Sequence, residues 1–343
     1  METTIPKGRR GSEILRCPDF EVTLTEQDTT ELDAALHQVK QQGLPLEAVT
    51  RDQFILPKLG PRLTQIQHDL EHGCGACRLR GLPVTRYSVM ELEIVFWGLT
   101  TYIGTPRPQS ADGKRLFHVS DAGFGESDAK TRGPNSNKRL RFHTDRCDVI
   151  GFLTVRQALQ GGDNLLLDSR LLYHQIQAQR PDLLEVLKQP FAYLRHNVDT
   201  ANPLPYITQP IFAVENGVFC ANVLRVLIDR AHNSGVTPPM TDQQIEALDL
   251  IDTLAEDENL HLRFRQEPGD LLFVNNFMFL HRRDAFTDAA DPNQRRLLLR
   301  LWLSMPNSRP LPESFRGMYR NIGAGALRGG MPTRAEQTES GKA

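Results

Sequence analysis

The spacing of apolar residues predicts helices in the first third of the chain. Over residues 25–42 the apolar positions recur every three or four residues, as they do on the buried face of a helix. The same pattern predicts shorter helices over 63–70 and 88–102. The last of these contains Ser88 and Glu91, which have the spacing of an N-terminal capping box.

Strand-forming sequence dominates the rest of the chain. Runs of β-branched, aromatic and aliphatic residues predict strands over most of 140–167, 191–221 and 259–304. Helical inserts interrupt them at about 169–188 and 241–255. Strands and helices do not alternate one for one, and no complete GxGxxG or Walker sequence is present, so a doubly wound nucleotide-binding fold is disfavoured. The pattern predicts a mainly β fold with α decorations, a jelly-roll core flanked by helices.

Residues 21–330 are predicted to form a single domain. The segment 1–20 is predicted to be a flexible N-terminus, and 331–343 a disordered tail. Within the domain, the stretch from about 106 to 137 is rich in Gly, Ser, Asp, Lys and Pro and has little apolar periodicity. A loop of that kind predicts a lid that closes over a site, with a plain disordered insert as the alternative.

Composition narrows the function classes. The 343 residues carry 40 Lys and Arg against 42 Asp and Glu, so the chain lacks the basic surplus expected of a nucleic-acid binder. The apolar runs are shorter than the roughly 20 residues that a membrane-spanning helix needs, and the N-terminus lacks the apolar core of a signal peptide. We therefore expect a cytoplasmic protein that binds neither nucleic acid nor membrane. The sequence leaves the formation of a homo-oligomer open.

Five cysteines are present, and Cys74 and Cys77 form a single CxxC. No second pair or nearby histidine spacing supports a zinc site there. The stretch that follows is extended rather than helical, which disfavours a thioredoxin-like redox site. We expect these to be buried thiols.

The candidate chemistry begins at the tripeptide His143-Thr144-Asp145. Residues two apart on an extended chain project from the same side, so His143 and Asp145 are placed to bind one ion. Much further along, His281 stands at the boundary between an apolar strand pattern and a charged loop, where it can face a cavity. Two imidazoles and a carboxylate can hold Fe(II) on one face and leave the opposite face open.

Two arginines follow in a leucine-rich strand pattern. Arg296 and Arg300 are four residues apart, which places them on the same face of a strand. An arginine buried without a partner loses several kcal/mol of solvation. An anionic ligand is a suitable partner for them.

The order of these motifs resembles the TauD/TfdA family of Fe(II)- and 2-oxoglutarate-dependent dioxygenases. The resemblance covers roughly residues 75–330 and includes the supporting motifs at 80–84, 161–164 and 269–276. It implies a double-stranded β-helix with a cupin-like core. It also implies Fe(II) as the cofactor and 2-oxoglutarate and O2 as cosubstrates.

The resemblance assigns roles by motif position. It implies that His143, Asp145 and His281 bind the iron and that Arg296 binds the distal carboxylate of 2-oxoglutarate, for which its planar fork is suited. Asn164 stands where relatives often carry a Thr or Ser that contacts the cosubstrate. An amide can still donate a hydrogen bond to a carboxylate, so Asn164 is kept as a 2-oxoglutarate contact.

For the substrate we expect Arg300, at a position that relatives often use to contact substrate or cosubstrate, and Asn137, at the inner end of the predicted lid. The implied activity is oxidation of an unactivated C–H bond in a small, anionic or amino-acid-like molecule, with release of succinate and CO2. Hydroxylation is the default, while desaturation, epoxidation and cyclisation stay open. Two other classes also stay open: a metal-dependent hydrolase, which gives Arg296 no evident role, and a catalytically silent metal-binding jelly-roll protein.

Overall fold

The computed structural model describes residues 5–123 and 135–336. Its helices in those ranges are α1 (Gly11–Ile14), α2 (Glu26–Gln42), α3 (Leu59–His72), α4 (Val89–Thr100), α5 (Ser169–Gln179), α6 (Pro181–Leu187), α7 (Arg225–Asn233), α8 (Asp242–Ala255) and α9 (Arg316–Tyr319). Thr25, Ser88 and Thr241 cap α2, α4 and α8, each accepting a hydrogen bond from the backbone N–H three residues later. The helices predicted from apolar spacing, both inserts included, are confirmed. None of the helices in the described ranges combines the length and apolarity needed to span a lipid bilayer.

The strands form two main sheets. They are β1 (Glu21–Thr23), β2 (Ala76–Arg80), β3 (Thr105–Arg107), β4 (Leu116–Val119), β5 (Val149–Arg156), β6 (Gln160–Gly161), β7 (Asn164–Asp168), β8 (Phe191–Leu194), β9 (Tyr206–Gln209), β10 (Phe212–Glu215), β11 (Val218–Ala221), β12 (Leu262–Phe264), β13 (Leu271–Asn275), β14 (Phe279–Arg283), β15 (Phe286–Thr287) and β16 (Leu297–Ser304). A seven-stranded sheet has the order β1-β2-β13-β5-β16-β3, with β4 also paired to β16. A three-stranded antiparallel sheet has the order β12-β7-β14. The fold is mainly β with helices, as predicted.

The large sheet separates a helical layer from a cavity. Leu299 and Leu301 of β16 point into a core that they share with α2, α3 and α4. Leu298, Arg300 and Trp302 of the same strand line the cavity on the opposite face. Because side chains alternate across a strand, one leucine-rich segment serves both the core and the cavity wall.

The small sheet forms the other side of the cavity. Leu165, Leu167 and Leu280 pack with α5 to α8 in a second core. Leu166 and His281 are directly paired across β7 and β14, and both line the cavity. The functional side chains therefore lie between two sheets, each backed by its own helices.

The N-terminal residues 5–20 differ from the predicted flexible segment. They include α1, and the Gly11 N–H donates to the Leu260 carbonyl at 3.1 Å. Ile14 and Phe20 are fully buried and pack with residues of β12. The prediction was wrong for these residues because their burial depends on partners far away in the sequence, which leave no local periodicity.

Parts of the predicted lid and of the predicted tail are ordered. Strand β3 overlaps the start of the 106–137 segment and β4 lies within it. Both pair with β16, but at three and four residues they are too short to show a pattern. Residues 124–134 of that predicted lid lie outside the described residues. In the predicted tail, Met331 is buried and its N–H donates to the Pro108 carbonyl at 2.8 Å, while 337–343 lie outside the described residues.

Candidate metal centre

Two histidines and an aspartate converge on one wall of the cavity between the sheets. His281 lies on β14, and His143 pairs with it in an isolated antiparallel bridge with backbone N···O distances of 3.0 and 2.9 Å. One ligand atom from each of His143, Asp145 and His281 lies within 4.8 Å of the other two. The motif residues thus come together, although the strand predicted from residue 140 begins only at Val149. The bridge to β14, rather than a continuous strand, sets the position of the motif.

Hydrogen bonds to the backbone orient this group. The His143 Nδ1 lies 2.8 Å from the Arg141 carbonyl, which only accepts, so Nδ1 carries the proton and Nε2 keeps its lone pair. The Asp145 backbone N–H donates to the Asn276 side-chain oxygen at 2.8 Å. Asp145 Oδ2 lies 3.7 Å from His281 Nε2 and has no hydrogen-bond partner among the described residues. A cation would satisfy that buried oxygen.

The charge states of His281 and Asp145 suit a cation. Burial, helped by the proximity of His143, lowers the pKa of His281 to about 3, so this imidazole is neutral at pH 7. Burial opposes ionisation of Asp145, but Arg300 and the two histidines outweigh it and hold the Asp145 pKa below its ordinary value of 3.8. A neutral imidazole and an ionised carboxylate are the forms that bind metal.

Arg296 is a buried cation with spare hydrogen-bonding capacity. It is 2% exposed and lies immediately before β16. Its Nε donates to Gln157 Oε1 at 3.2 Å, and its backbone N–H donates to Asp288 Oδ1 at 2.8 Å. Nη1 has no hydrogen-bond partner within the described residues. Burial, and the nearby charge of Arg283, lower the pKa of Arg296 to about 9, which leaves the guanidinium charged at pH 7.

The turn before β7 shapes the space around Arg296. Gly162 has a φ of +76°, and a Cβ built there would lie 3.3 Å from Arg296 Nε. A larger residue at Gly162 would therefore be strained and would crowd the guanidinium. Asn164 follows on β7, lines the cavity, and has a buried side-chain nitrogen without a partner among the described residues. Arg296 and Asn164 thus offer two free donors in one cavity.

Arg300 reaches toward the ligand group. Its Nη1 is 3.8 Å from Asp145 Oδ2, and its Nε donates to Gln109 Oε1 at 2.7 Å. Nη2 is buried and has no hydrogen-bond partner in the described ranges. Burial lowers the Arg300 pKa, and Asp145 opposes that shift. Arg296 and Arg300 both line the cavity, as their four-residue spacing predicted.

Asn137 does not fit its predicted role. It is exposed and is absent from the residues that line the cavity. Its backbone carbonyl accepts a hydrogen bond from the Phe286 N–H at 3.0 Å, which fixes the segment along β15. The prediction of a substrate contact at Asn137 was wrong, because proximity in sequence to the motif did not bring its side chain to the cavity.

Three supporting residues escaped the sequence prediction. Gln157 holds Arg296, Gln109 holds Arg300 and Asn276 holds Asp145. Gln157 comes directly after the last residue of β5, and Asn276 directly after the last residue of β13. A polar residue at the end of a strand was the signal that could have identified them. Gln109 had none, since its partner is 191 residues away.

The cavity is large enough for a cosubstrate and a small substrate. Its volume is about 500 Å³, within the usual range for small-molecule sites. Arg146, which follows Asp145 in the chain, forms a largely buried ion pair with Asp199 at 3.0 Å in the cavity wall. Asp199 Oδ1 and the side-chain nitrogen of Asn222 have no hydrogen-bond partner among the described residues. The cavity wall therefore offers an unpaired acceptor at Asp199 and an unpaired donor at Asn222.

Comparisons of sequence place the chain among known oxygenases. The model of the taurine catabolism dioxygenase TauD/TfdA family matches residues 35–302. The chain is 33% identical over 294 residues to the taurine hydroxylase-like protein SAT17 of Stachybotrys chartarum, which covers 82% of this chain and 74% of that protein. It is 29% identical over 296 residues to FR-33289 synthase of Streptomyces rubellomurinus, covering 85% of this chain and 87% of that one.

Comparisons of structure agree on the fold. An asparagine oxygenase structure with Fe(II), 3-hydroxyasparagine and succinate matches with a TM-score of 0.66 and 17% identity, covering 90% of this chain and 100% of that one. The non-heme iron oxygenase OrfP, in complex with Fe and α-ketoglutaric acid, matches with a TM-score of 0.61 and 14% identity, covering 90% and 99%. At such identities the likeness extends to the fold.

Proposed function

Because the chain belongs to the taurine catabolism dioxygenase TauD/TfdA family, we propose that it binds Fe(II) through His143, Asp145 and His281. The protein is an Fe(II)- and 2-oxoglutarate-dependent dioxygenase. The observation that carries the ligand assignment is the convergence of these three side chains in a cavity that Arg296, with its unpaired buried Nη1, also lines. The family fold further supports a double-stranded β-helix as the core, within a single domain over about 21–330.

The donor set fits iron. Two imidazole nitrogens and one carboxylate oxygen are the facial arrangement found in non-heme Fe(II) oxygenases, and they leave coordination positions for other ligands. His143 is fixed by its bond to the Arg141 carbonyl, so its Nε2 is directed to the shared space. Asp145 is fixed through its backbone by Asn276. The protein thus orients two of the three ligands, His143 and Asp145, before a metal binds.

The cosubstrate is proposed to bind through Arg296 and Asn164. A planar guanidinium forms paired hydrogen bonds with a carboxylate, and Arg296 has the unpaired Nη1 to do so. Gln157 accepts a hydrogen bond from Nε and so helps to orient the guanidinium. A bound dicarboxylate would neutralise a charge that burial otherwise makes costly. A metal-dependent hydrolase would bear the free-energy cost of burying the Arg296 charge without using that charge in its reaction.

When bound, Fe(II) with 2-oxoglutarate and O2 supplies the oxidant that removes hydrogen from an unactivated C–H bond, giving succinate and CO2. The chain positions the reactants and excludes water. Phe152, Leu272 and Leu298 line the cavity with apolar surface beside the ligand group. Arg300 carries the positive charge nearest to Asp145 and keeps that carboxylate ionised.

We propose that the substrate is a small anionic or amino-acid-like molecule and that hydroxylation is the reaction. The two structural neighbours carry hydroxylated amino acids in solved complexes, 3-hydroxyasparagine and (3S)-hydroxy-L-Arg. In this chain, the unpaired Nη2 of Arg300 is suited to an anionic group. Asp199 Oδ1, in the cavity wall, is suited to a donor such as an ammonium group.

An anaerobic titration tests the proposal. Fe(II) and 2-oxoglutarate added together to the wild-type chain should produce a weak visible charge-transfer band, and His281→Ala should not. With O2 and a candidate amino acid, succinate release should rise above the rate without substrate. Absence of the band in the folded wild type would refute the assignment of the iron and cosubstrate site.

A further inference from the structure

A second group of metal-type ligands lies where the N-terminal segment meets the end of α3. One ligand atom from each of Cys17, Asp19 and Cys74 lies within 4.8 Å of the other two. Cys17 and Asp19 are partly exposed, and Cys74 is buried. None of the three lines the cavity described above. The group is therefore separate from the iron site.

The structure divides the CxxC between two environments. Cys74 packs with Ile14 and Phe20 of the N-terminal segment. Cys77, on β2, points into the core shared with α2 to α4. The partner of Cys74 is thus Cys17, which the sequence pattern did not suggest. Neither a redox pair nor a zinc pair of the CxxC type is formed.

The carboxylate of Asp19 is aimed at this group. The Cys74 backbone N–H donates to Asp19 Oδ2 at 2.7 Å. A Cβ at Gly73 would lie 2.3 Å from that oxygen, so the approach of Asp19 requires glycine there. Backbone donors commonly orient the carboxylates that bind metals. Two sulfurs and an oriented carboxylate therefore converge. A disulfide would involve the two sulfurs alone, so the presence of the carboxylate favours a metal site over a disulfide.

The donor types select the cation. Thiolates prefer soft or borderline cations, and Zn(II) accepts sulfur and carboxylate ligands in a tetrahedral arrangement. Burial raises the pKa of the Cys74 thiol, so metal binding must displace its proton. Two thiolates and a carboxylate around Zn(II) carry one net negative charge. The Arg9 guanidinium, which donates to the Cys74 carbonyl at 3.4 Å, lies where it can offset that charge.

We propose that Cys17, Asp19 and Cys74 bind a thiophilic divalent cation, Zn(II), with the fourth position taken by water. The site would join residues 5–20 to the end of α3, in addition to the hydrogen bonds that Asp19 and Arg9 form with the Cys74 backbone. It serves structure rather than the oxidation, because it lies outside the cavity.

Cobalt(II) provides the test because sulfur bound to cobalt absorbs strongly in the near ultraviolet, and the proposed iron ligands contain no sulfur. The full-length, reduced wild type should develop this band and lose it when Zn(II) is added. Cys17→Ser should abolish the band, and Asp19→Asn, which keeps the acceptor for the Cys74 N–H, should weaken it. Cys220→Ser, a buried thiol outside the group, is the matched control and should retain it.

A second measurement separates metal binding from folding. Zn(II) should raise the Tm of the wild type and of Cys220→Ser by more than that of Cys17→Ser, because the histidine and aspartate site, which also accepts Zn(II), is intact in all three. No sulfur–cobalt band in the wild type, or an undiminished band in Cys17→Ser, would overturn the proposal. Formation of a Cys17–Cys74 disulfide on peroxide treatment, without any cobalt band, would do the same. Loss of the Fe(II) and 2-oxoglutarate band alone would instead count against the proposed function.

Discussion

The backbone N–H of Asp145 donates a 2.8 Å hydrogen bond to the side-chain oxygen of Asn276. The Asn276 side-chain nitrogen donates to the Cys147 sulfur at 3.1 Å, and its backbone N–H donates to the Asp148 carbonyl at 2.9 Å. One residue immediately after β13 therefore holds both ends of the 145–148 turn. This turn carries one of the proposed iron ligands.

Asn276→Ala should weaken Fe(II) binding by about 10- to 100-fold, the usual effect of removing a group that orients a metal ligand. Anaerobic Fe(II) titration measures it. Asn275→Ala is the control, because that amide donates to the Leu70 carbonyl and to Glu71 instead. It should lower the Tm and spare the iron affinity. Equal losses of affinity in both variants would show that Asn276 acts only through stability.

Arg296→Ala should raise the Kd for 2-oxoglutarate by about 10- to 100-fold, because a charge-assisted pair of hydrogen bonds is lost. The Kd of Arg296→Lys should lie between those of the wild type and Arg296→Ala, since an ammonium keeps the charge but cannot form the paired hydrogen bonds. The charge-transfer band of the iron complex reports the binding. Arg295→Ala removes an exposed neighbour and should leave the Kd unchanged. An unaltered Kd in Arg296→Ala would place the carboxylate elsewhere.

Arg300→Leu should make Fe(II) binding more sensitive to acid. Burial raises the Asp145 pKa, and Arg300 is the largest of the charges that oppose it. Without Arg300, Asp145 takes up a proton at a higher pH, and the protonated form does not bind metal. The ratio of Fe(II) affinities at about pH 8 and about pH 5.5 should therefore exceed the wild-type ratio. An identical ratio would mean that Arg300 is not the group that keeps Asp145 ionised.

Arg328→Met should destabilise the fold by about 3–5 kcal/mol, because it leaves a buried charge without its partner. Arg328 and Asp148 are 2.7 Å apart, with side-chain exposures of 0% and 2%. Urea unfolding measures the change. Arg316→Ala breaks an exposed ion pair with Glu313 and should show no measurable loss. A similar result for both variants would contradict the importance of burial.

Alkylation of the native, metal-free protein should label Cys17 alone among the five cysteines. The other thiols are buried, and burial raises the pKa of Cys220 to about 12 and that of Cys147 well above 9.0. A thiol that stays protonated is a poor nucleophile. Peptide mass spectrometry identifies the labelled residues, and labelling in denaturant gives the full set. Early labelling of Cys147 would show that the turn beside Asp145 opens.

Much of the fold and of the candidate site could be predicted because the signals were local. Apolar spacing specified α2, α4 and α8, since each helix buries one face of its own sequence, and a capping box marked the start of α4. The proposed iron ligands and Arg296 followed from motif spacing. Arg296 and Arg300 stand in an apolar strand pattern, where a buried charge without a partner loses solvation, and they therefore indicated an anionic ligand.

The errors occurred where structure depends on distant partners. β3 and β4 are too short to show a pattern and exist because β16 offers them backbone partners. Residues 5–20 are held by contacts with β12, and no apolar periodicity in their own sequence predicted that they would be ordered. Asn137 lies near the motif in sequence but points to solvent. Short or irregular segments carry too little local information to specify where they pack.

By itself the sequence determined the ligand types, their order and the class of chemistry, since these depend on side chains that stand in recognisable patterns. Only the tertiary structure decided which residues support them: Asn276 behind Asp145, Gln157 behind Arg296 and Gln109 behind Arg300. It also separated Cys74 from Cys77 and brought Cys17 to it. Such contacts join residues far apart in the chain, and only packing of the sheets and segments brings them within hydrogen-bonding or ligand distance.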